Sequence, residues 1–281
     1  MTMAVPAQSV SLAQRTGFAL AQALREDCRA EPLQPDGRIR RVSDLLIDGV
    51  EQDRLPDALD RARLRQPHSA AALAINSFLP WQNAPDQLTL DRWTGFEAIQ
   101  LVVRCPTGLR GTPPHLDVLA LRDDAAVAVT VRCTEYLSHR RSTVAASYDR
   151  LLAATPGLEP WLRQLARLRE APDERQHIDL GALVKHALAL GRTFPDRPTS
   201  LLYLYWEPLD AARFPEFGVH RQELAELEEA VRDARVTFAS RSLNSLWRHW
   251  DAQASPSWLR RHVARLRARY GVSLAATDHP P

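Results

Sequence analysis

A chain of 281 residues, 45% hydrophobic and 25% charged, has an ordinary globular composition and enough length for a sizeable core. Its 36 basic and 34 acidic residues leave a net charge of +2, so no overall field recruits nucleic acid or an anionic membrane, and any such binding must come from a local patch. Cys28, Cys105 and Cys133 are widely spaced and lack a CxxC pair, and no stretch approaches ~18 apolar residues. These features argue against a disulfide framework, a zinc site and a membrane span, and they place the protein in the cytoplasm. Every basic residue except Lys185 is arginine, which singles out the one lysine.

Residues 9–30 carry Leu12, Phe18, Leu20 and Leu24 and predict an amphipathic helix, ended by a proline-bearing stretch at 31–37. Shorter helices are expected over 42–50 and 57–65, and the apolar run 69–79 reads as buried up to Pro80-Trp81. A strand over 96–104 closes at Cys105-Pro106 and a loop containing Gly108, Gly111, Pro113 and Pro114.

The clearest sheet signal lies in 113–137. Leu116, Val118 and Ala120 alternate with Asp117, Leu119 and Leu121, and Val127, Val129 and Val131 alternate with Ala128, Thr130 and Arg132. The short polar turn Arg122-Asp123-Asp124-Ala125 joins the two strands into an antiparallel hairpin. Helices follow at 142–154 and 159–169, separated by Pro156-Gly157, and at 180–190 before Gly191. The aromatic run 200–206 reads as a buried strand, followed by a charged helix at 221–235, a strand at 236–239 and a short helix at 242–250. The last helix, 256–270, places Trp258, Leu259, Val263, Leu266 and Tyr270 on one face, with Arg260, Arg261, Arg265, Arg267 and Arg269 largely around the other. This order predicts an α/β (α+β) protein: a central mixed sheet flanked by helices, with a helical region over 1–68 and a basic helix and tail over 251–281.

Six phrases, in order across 69–250, resemble the PD-(D/E)XK nuclease superfamily and more narrowly its bacterial restriction-endonuclease-like branch. They are Asn76-Ser77-Phe78, Cys105-Pro106-Thr107-Gly108-Leu109, Pro113-Pro114-His115-Leu116-Asp117, Cys133-Thr134-Glu135-Tyr136-Leu137, Leu183-Val184-Lys185-His186, and Leu202-Tyr203-Leu204-Tyr205-Trp206-Glu207-Pro208. The resemblance implies a restriction-endonuclease-like core over 69–250, DNA as partner, Mg²⁺ as cofactor and hydrolysis of DNA phosphodiesters; a homodimer is compatible with it. It also implies a catalytic set of Asp117, Arg132 and Lys185, with Asp117 and the Val131 carbonyl on the metal and the two cations facing phosphate. Such a site needs an acid on one strand and Glu-x-Lys on the next, because residues i and i+2 share a face and can gather two carboxylates and an ammonium around one Mg²⁺.

Asp117 fits the first acid, but the Glu-x-Lys position reads Thr130-Val131-Arg132, and Ala182 stands where the family has a glutamine. Threonine is a poor Mg²⁺ ligand, and the lost carboxylate weakens the metal site. Arg132 can face a phosphate or pair with Asp117. Glu135, five residues beyond Thr130, and His115, on the face of Asp117, are substitute ligands. Three readings stay open: a Mg²⁺-dependent nuclease, a catalytically inactive nuclease fold that binds DNA or a partner protein, and an interaction protein without nucleic acid. HExxH, GxSxG, GxxxxGK[ST] and GxGxxG are absent. Trp206, Trp247 and Trp250 read as core, and the arginines of the last helix read as a solvated face or a DNA backbone contact.

Overall fold

The computed structural model describes residues 10–28, 30–138, 143–252 and 256–275; the predicted helix starts at 9 and 142 and the end of the tail lie outside them. In chain order the elements are α1 (Leu12–Asp27), α2 (Val42–Leu45), α3 (Arg61–Leu64), α4 (Ala70–Phe78), β1 (Ala98–Arg104), β2 (His115–Leu121), β3 (Ala126–Arg132), α5 (Ser147–Ala153), α6 (Glu159–Glu170), α7 (Leu180–Thr193), β4 (Thr199–Tyr205), α8 (Pro215–Ala230), β5 (Val236–Ser242), α9 (Leu243–Ala252) and α10 (Ser257–Tyr270). The strands form one mixed sheet in the order β1-β2-β3-β4-β5. β1, β2 and β3 are antiparallel neighbours, whereas β3, β4 and β5 run parallel. The parallel joins need crossovers, and α5 to α7 supply one and α8 the other. β4 is buried along its whole length, which explains why its sequence is a continuous apolar and aromatic run.

Capping chemistry sets several helix ends. Ser11 and Gln14 form a capping box on α1, Ser69 caps α4, and the Asp179 carboxylate accepts the Ala182 N–H at 2.8 Å to start α7. Helix α8 begins at Pro215, six residues before the expected start, because proline suits a first helical turn. The two short N-terminal helices shrink to one turn each. After Leu45 the chain turns away so that the Ile47 N–H can reach the buried Asn76 side chain at 3.1 Å, and the Asp60 carboxylate accepts the Ala62 N–H to start α3 only at Arg61. On α1 the buried stripe is Thr16, Leu20, Ala23 and Leu24; Phe18 lies two residues from both Thr16 and Leu20, points away and is 65% exposed, contrary to its expected place on the apolar face.

Helices cover both faces of the sheet, one of them only in part. α4 packs across β1 to β3 on the face carrying Leu101, Val118 and Val129, and α9 and α10 continue that layer. On the opposite face α6, α7 and α8 cover β4 and β5, where Trp161 meets Phe238 and His220 meets Tyr203. One apolar cluster runs from Ala19 to Leu274, so the terminal helices share the core of the sheet. Trp206, Trp247 and Trp250 lie fully inside it; Trp206 donates to the Tyr270 carbonyl and Trp250 to the Thr89 carbonyl. Among the described residues no helix is long and apolar enough to cross a membrane.

Candidate functional site

The hairpin predicted at 113–137 forms, and its two strands part where the chemistry lies. β2 and β3 pair from Leu121↔Ala126 to Val118↔Val129 and no further, while β2 stays with β1 as far as Arg104↔His115. That second ladder skips Val102, directly across from Asp117, whose φ of 54° is a backbone conformation that β-branched residues rarely adopt. The parting leaves the backbone of Val131 without a partner strand on the β2 side. Asp117 fills the gap: its Oδ2 accepts the Val131 N–H at 2.7 Å.

Arg132 takes up the remaining oxygens. Its Nη1 donates to Thr130 Oγ1 at 2.7 Å and to the Val131 carbonyl at 2.8 Å, and lies 3.9 Å from Asp117 Oδ2. One guanidinium nitrogen therefore donates to the hydroxyl and to the carbonyl and lies within ion-pair distance of the carboxylate. Nε and Nη2 have no acceptor among the described residues, and the side chain is 21% exposed. The guanidinium also sits 6.0 Å from the centroid of the Tyr203 ring, which forms the floor. Burial raises the Asp117 carboxyl to about 6, against the pull of Arg132 and the Val131 N–H, and the nearby Glu135 charge adds to the rise.

Of the expected set, Asp117, Val131 and Arg132 come together. Lys185 does not join them: its ammonium donates to the Thr143 carbonyl at 3.3 Å and lies 5.9 Å from the Tyr148 ring. Its neighbour His186 turns inward instead, buried and facing the His115 backbone and Arg132; burial first, and then the Arg132 charge, hold its imidazole down to about 3, so it is neutral. The helical spacing of Leu183, His186 and Leu190 places His186 on the buried side of α7 and carried that signal. Glu135 does not reach back as a ligand; its Oε2 accepts the Cys133 N–H at 2.6 Å and the Thr134 N–H at 3.1 Å.

Mg²⁺ prefers near-octahedral oxygens, keeps several waters and binds through one or two carboxylates. Here the one carboxylate accepts the Val131 N–H, and the hydroxyl and carbonyl beside it accept from Arg132. Among the described residues no group of three or more His, Cys, Asp or Glu side chains could hold a metal.

Beside this centre the sheet face is open. Gln100, Arg104 and His115 are exposed and Val102 is half-buried, because α6 to α8 do not extend over β1 and the start of β2. The arginines of α10, the other candidate nucleic-acid contact, are committed elsewhere. Arg265 pairs with Asp48, Arg267 with Asp251 at 2.7 Å, and Arg269, only 5% exposed, with Asp27 and the carbonyls of Asp44 and Leu45. The expected solvated arginine face is thus reduced to Arg260 and Arg261. No protein-family model matches this chain, and no curated protein or solved structure matches it.

Proposed function

We propose that this chain is a restriction-endonuclease-like protein in which Arg132 takes the cation position, and that it binds the phosphodiester backbone of nucleic acid without hydrolysing it. One observation carries the reading: Arg132 Nη1 lies at 2.7 Å from the Thr130 hydroxyl, 2.8 Å from the Val131 carbonyl and 3.9 Å from the Asp117 carboxylate. An antiparallel hairpin followed by two parallel strands, with the acid where the hairpin strands part, supports the fold assignment. Hydrolysis by a Mg²⁺-activated water needs an open cation position, and Arg132 takes up two of the oxygens there, while Thr130 supplies no charge. The outer edge of the Arg132 guanidinium retains donors suited to phosphate oxygens.

Incubation with supercoiled plasmid and Mg²⁺ or Mn²⁺ is expected to give no nicking, while a labelled oligonucleotide shifts at low salt and is released as salt rises. Nicking that disappears with Asp117→Ala would overturn the non-hydrolytic reading. Absence of any shift at low salt would overturn the binding reading.

A further inference from the structure

Arg104, His115 and Arg132 form a row across three neighbouring strands. Arg104 and His115 are direct partners in the β1–β2 ladder. β2 and β3 part after Val118↔Val129, but strand alternation puts His115 on the face of Leu119 and Arg132 on the face of Ala128, and these two are paired, so all three side chains rise from one face of the sheet. Arg104 and His115 lie on paired strands ~4.8 Å apart, and Arg132 lies farther off, across the gap that Asp117 fills. Two members of the row are exposed, and among the described residues Arg104 has no acidic partner.

The surrounding sequence points the same way. From Ala98 to Leu116 there is no aspartate or glutamate, although the whole chain holds 34 acids, and this stretch includes the loop that carries Arg110. The acids that face the row are Asp117, already accepting from Val131, Glu135, held by two backbone amides, and Asp179, whose carboxylate accepts the Ala182 N–H at the start of α7. The other titratable groups that face Arg132 are the neutral imidazole of His186 and Tyr203 on β4.

Building on the nucleic-acid reading above, we propose that Arg104, His115 and Arg132 bind consecutive phosphates of a single nucleic-acid strand laid across β1, β2 and β3. Along one nucleic-acid strand a charge recurs every ~3.4 Å, so side chains on neighbouring β-strands can each meet a phosphate of the same strand. Specificity for base sequence is not expected, because such contacts position a strand without reading its base edges.

The test is fluorescence anisotropy of labelled oligothymidylate with the full-length protein over a salt series. Compared are the wild type, Arg104→Ala, His115→Gln and the off-row control Arg260→Ala, each checked for an unchanged thermal melt. Arg104→Ala is expected to weaken binding about fivefold and to reduce the slope of log affinity against log salt by about 0.7, the value for one phosphate contact on a single strand. His115→Gln should have a smaller effect, and Arg260→Ala none. Wild-type binding that is unchanged in Arg104→Ala and His115→Gln, or equally weakened in Arg260→Ala, would overturn the row while leaving nucleic-acid binding intact. A matched duplex bound more tightly than the single strand, with no loss in Arg104→Ala, would overturn the single-strand assignment. No binding by the wild type at about 20 mM salt would overturn both readings together.

Discussion

Helix α10 and the rim of the sheet at β1 to β3 are both rich in arginine, yet they put the charge to different use. On α10, Arg265, Arg267 and Arg269 each meet an aspartate on another segment, so the helix is fastened to α1, to the segment after α2 and to α9. On the rim, Arg104 has no acid partner among the described residues and Arg132 shares a carboxylate that is already accepting an amide proton. The comparison teaches that a basic stretch in a sequence marks a binding surface only if the fold leaves its charge uncompensated. A count of arginines favours α10, whereas the distribution of acids favours the rim.

The largest expected effect tests the fastening role. Arg269→Ala leaves Asp27 without its partner and strips the carbonyls of Asp44 and Leu45 of a donor, and should cost about 3 kcal/mol in denaturant unfolding while oligonucleotide affinity of the folded fraction stays unchanged. A loss of affinity in folded Arg269→Ala protein would break the division between the two regions.

The second prediction concerns pH. Because burial raises the Asp117 carboxyl from 3.8 to about 6, the stability held by its uncharged form is complete below the lower value and is lost as pH rises through the upper one. Relative to Asp117→Asn, the wild type should therefore lose about 2 kcal/mol between about pH 4 and about pH 8, a figure reduced for the quarter of the side chain that reaches solvent. Parallel stability curves for the two proteins would show that the carboxylate does not carry this burden. Smallest of all, Lys185→Ala and Arg261→Ala should change unfolding free energy by less than about 0.5 kcal/mol and leave oligonucleotide binding as it was.

Much of the sheet was legible because its period is local. The alternation around Asp117 and in Val127 to Val131 gave the hairpin, and the aromatic run gave β4 to within one residue of its span. β5 extends three residues beyond the expected strand, since Ser240, Arg241 and Ser242 lack apolar character and are ordered by pairing with Tyr203, Leu204 and Tyr205. Asp117, Val131 and Arg132 were grouped by the family resemblance, not by the pattern of either strand. The geometry of their meeting was not legible, because it depends on β2 leaving β3 after Val118, which no residue pattern announces.

Lys185 stands at the other extreme. Its rarity in an arginine-biased chain made it conspicuous, but composition says nothing about direction, and on α7 it is His186 that occupies the buried side. The ion pairs of α10 were hidden for a related reason: their acids, Asp27, Asp48 and Asp251, lie far away in sequence or across a turn, so only the tertiary fold brings them to the arginines.

The central claim is that Arg132 occupies the place of a metal ion, and Mn²⁺ titration followed by electron paramagnetic resonance measures it most directly. The wild type should show no stoichiometric Mn²⁺ site, whereas Thr130→Glu combined with Arg132→Lys should gain one that is lost again on adding Asp117→Asn. A stoichiometric Mn²⁺ site in the wild type that Asp117→Asn abolishes would contradict the account.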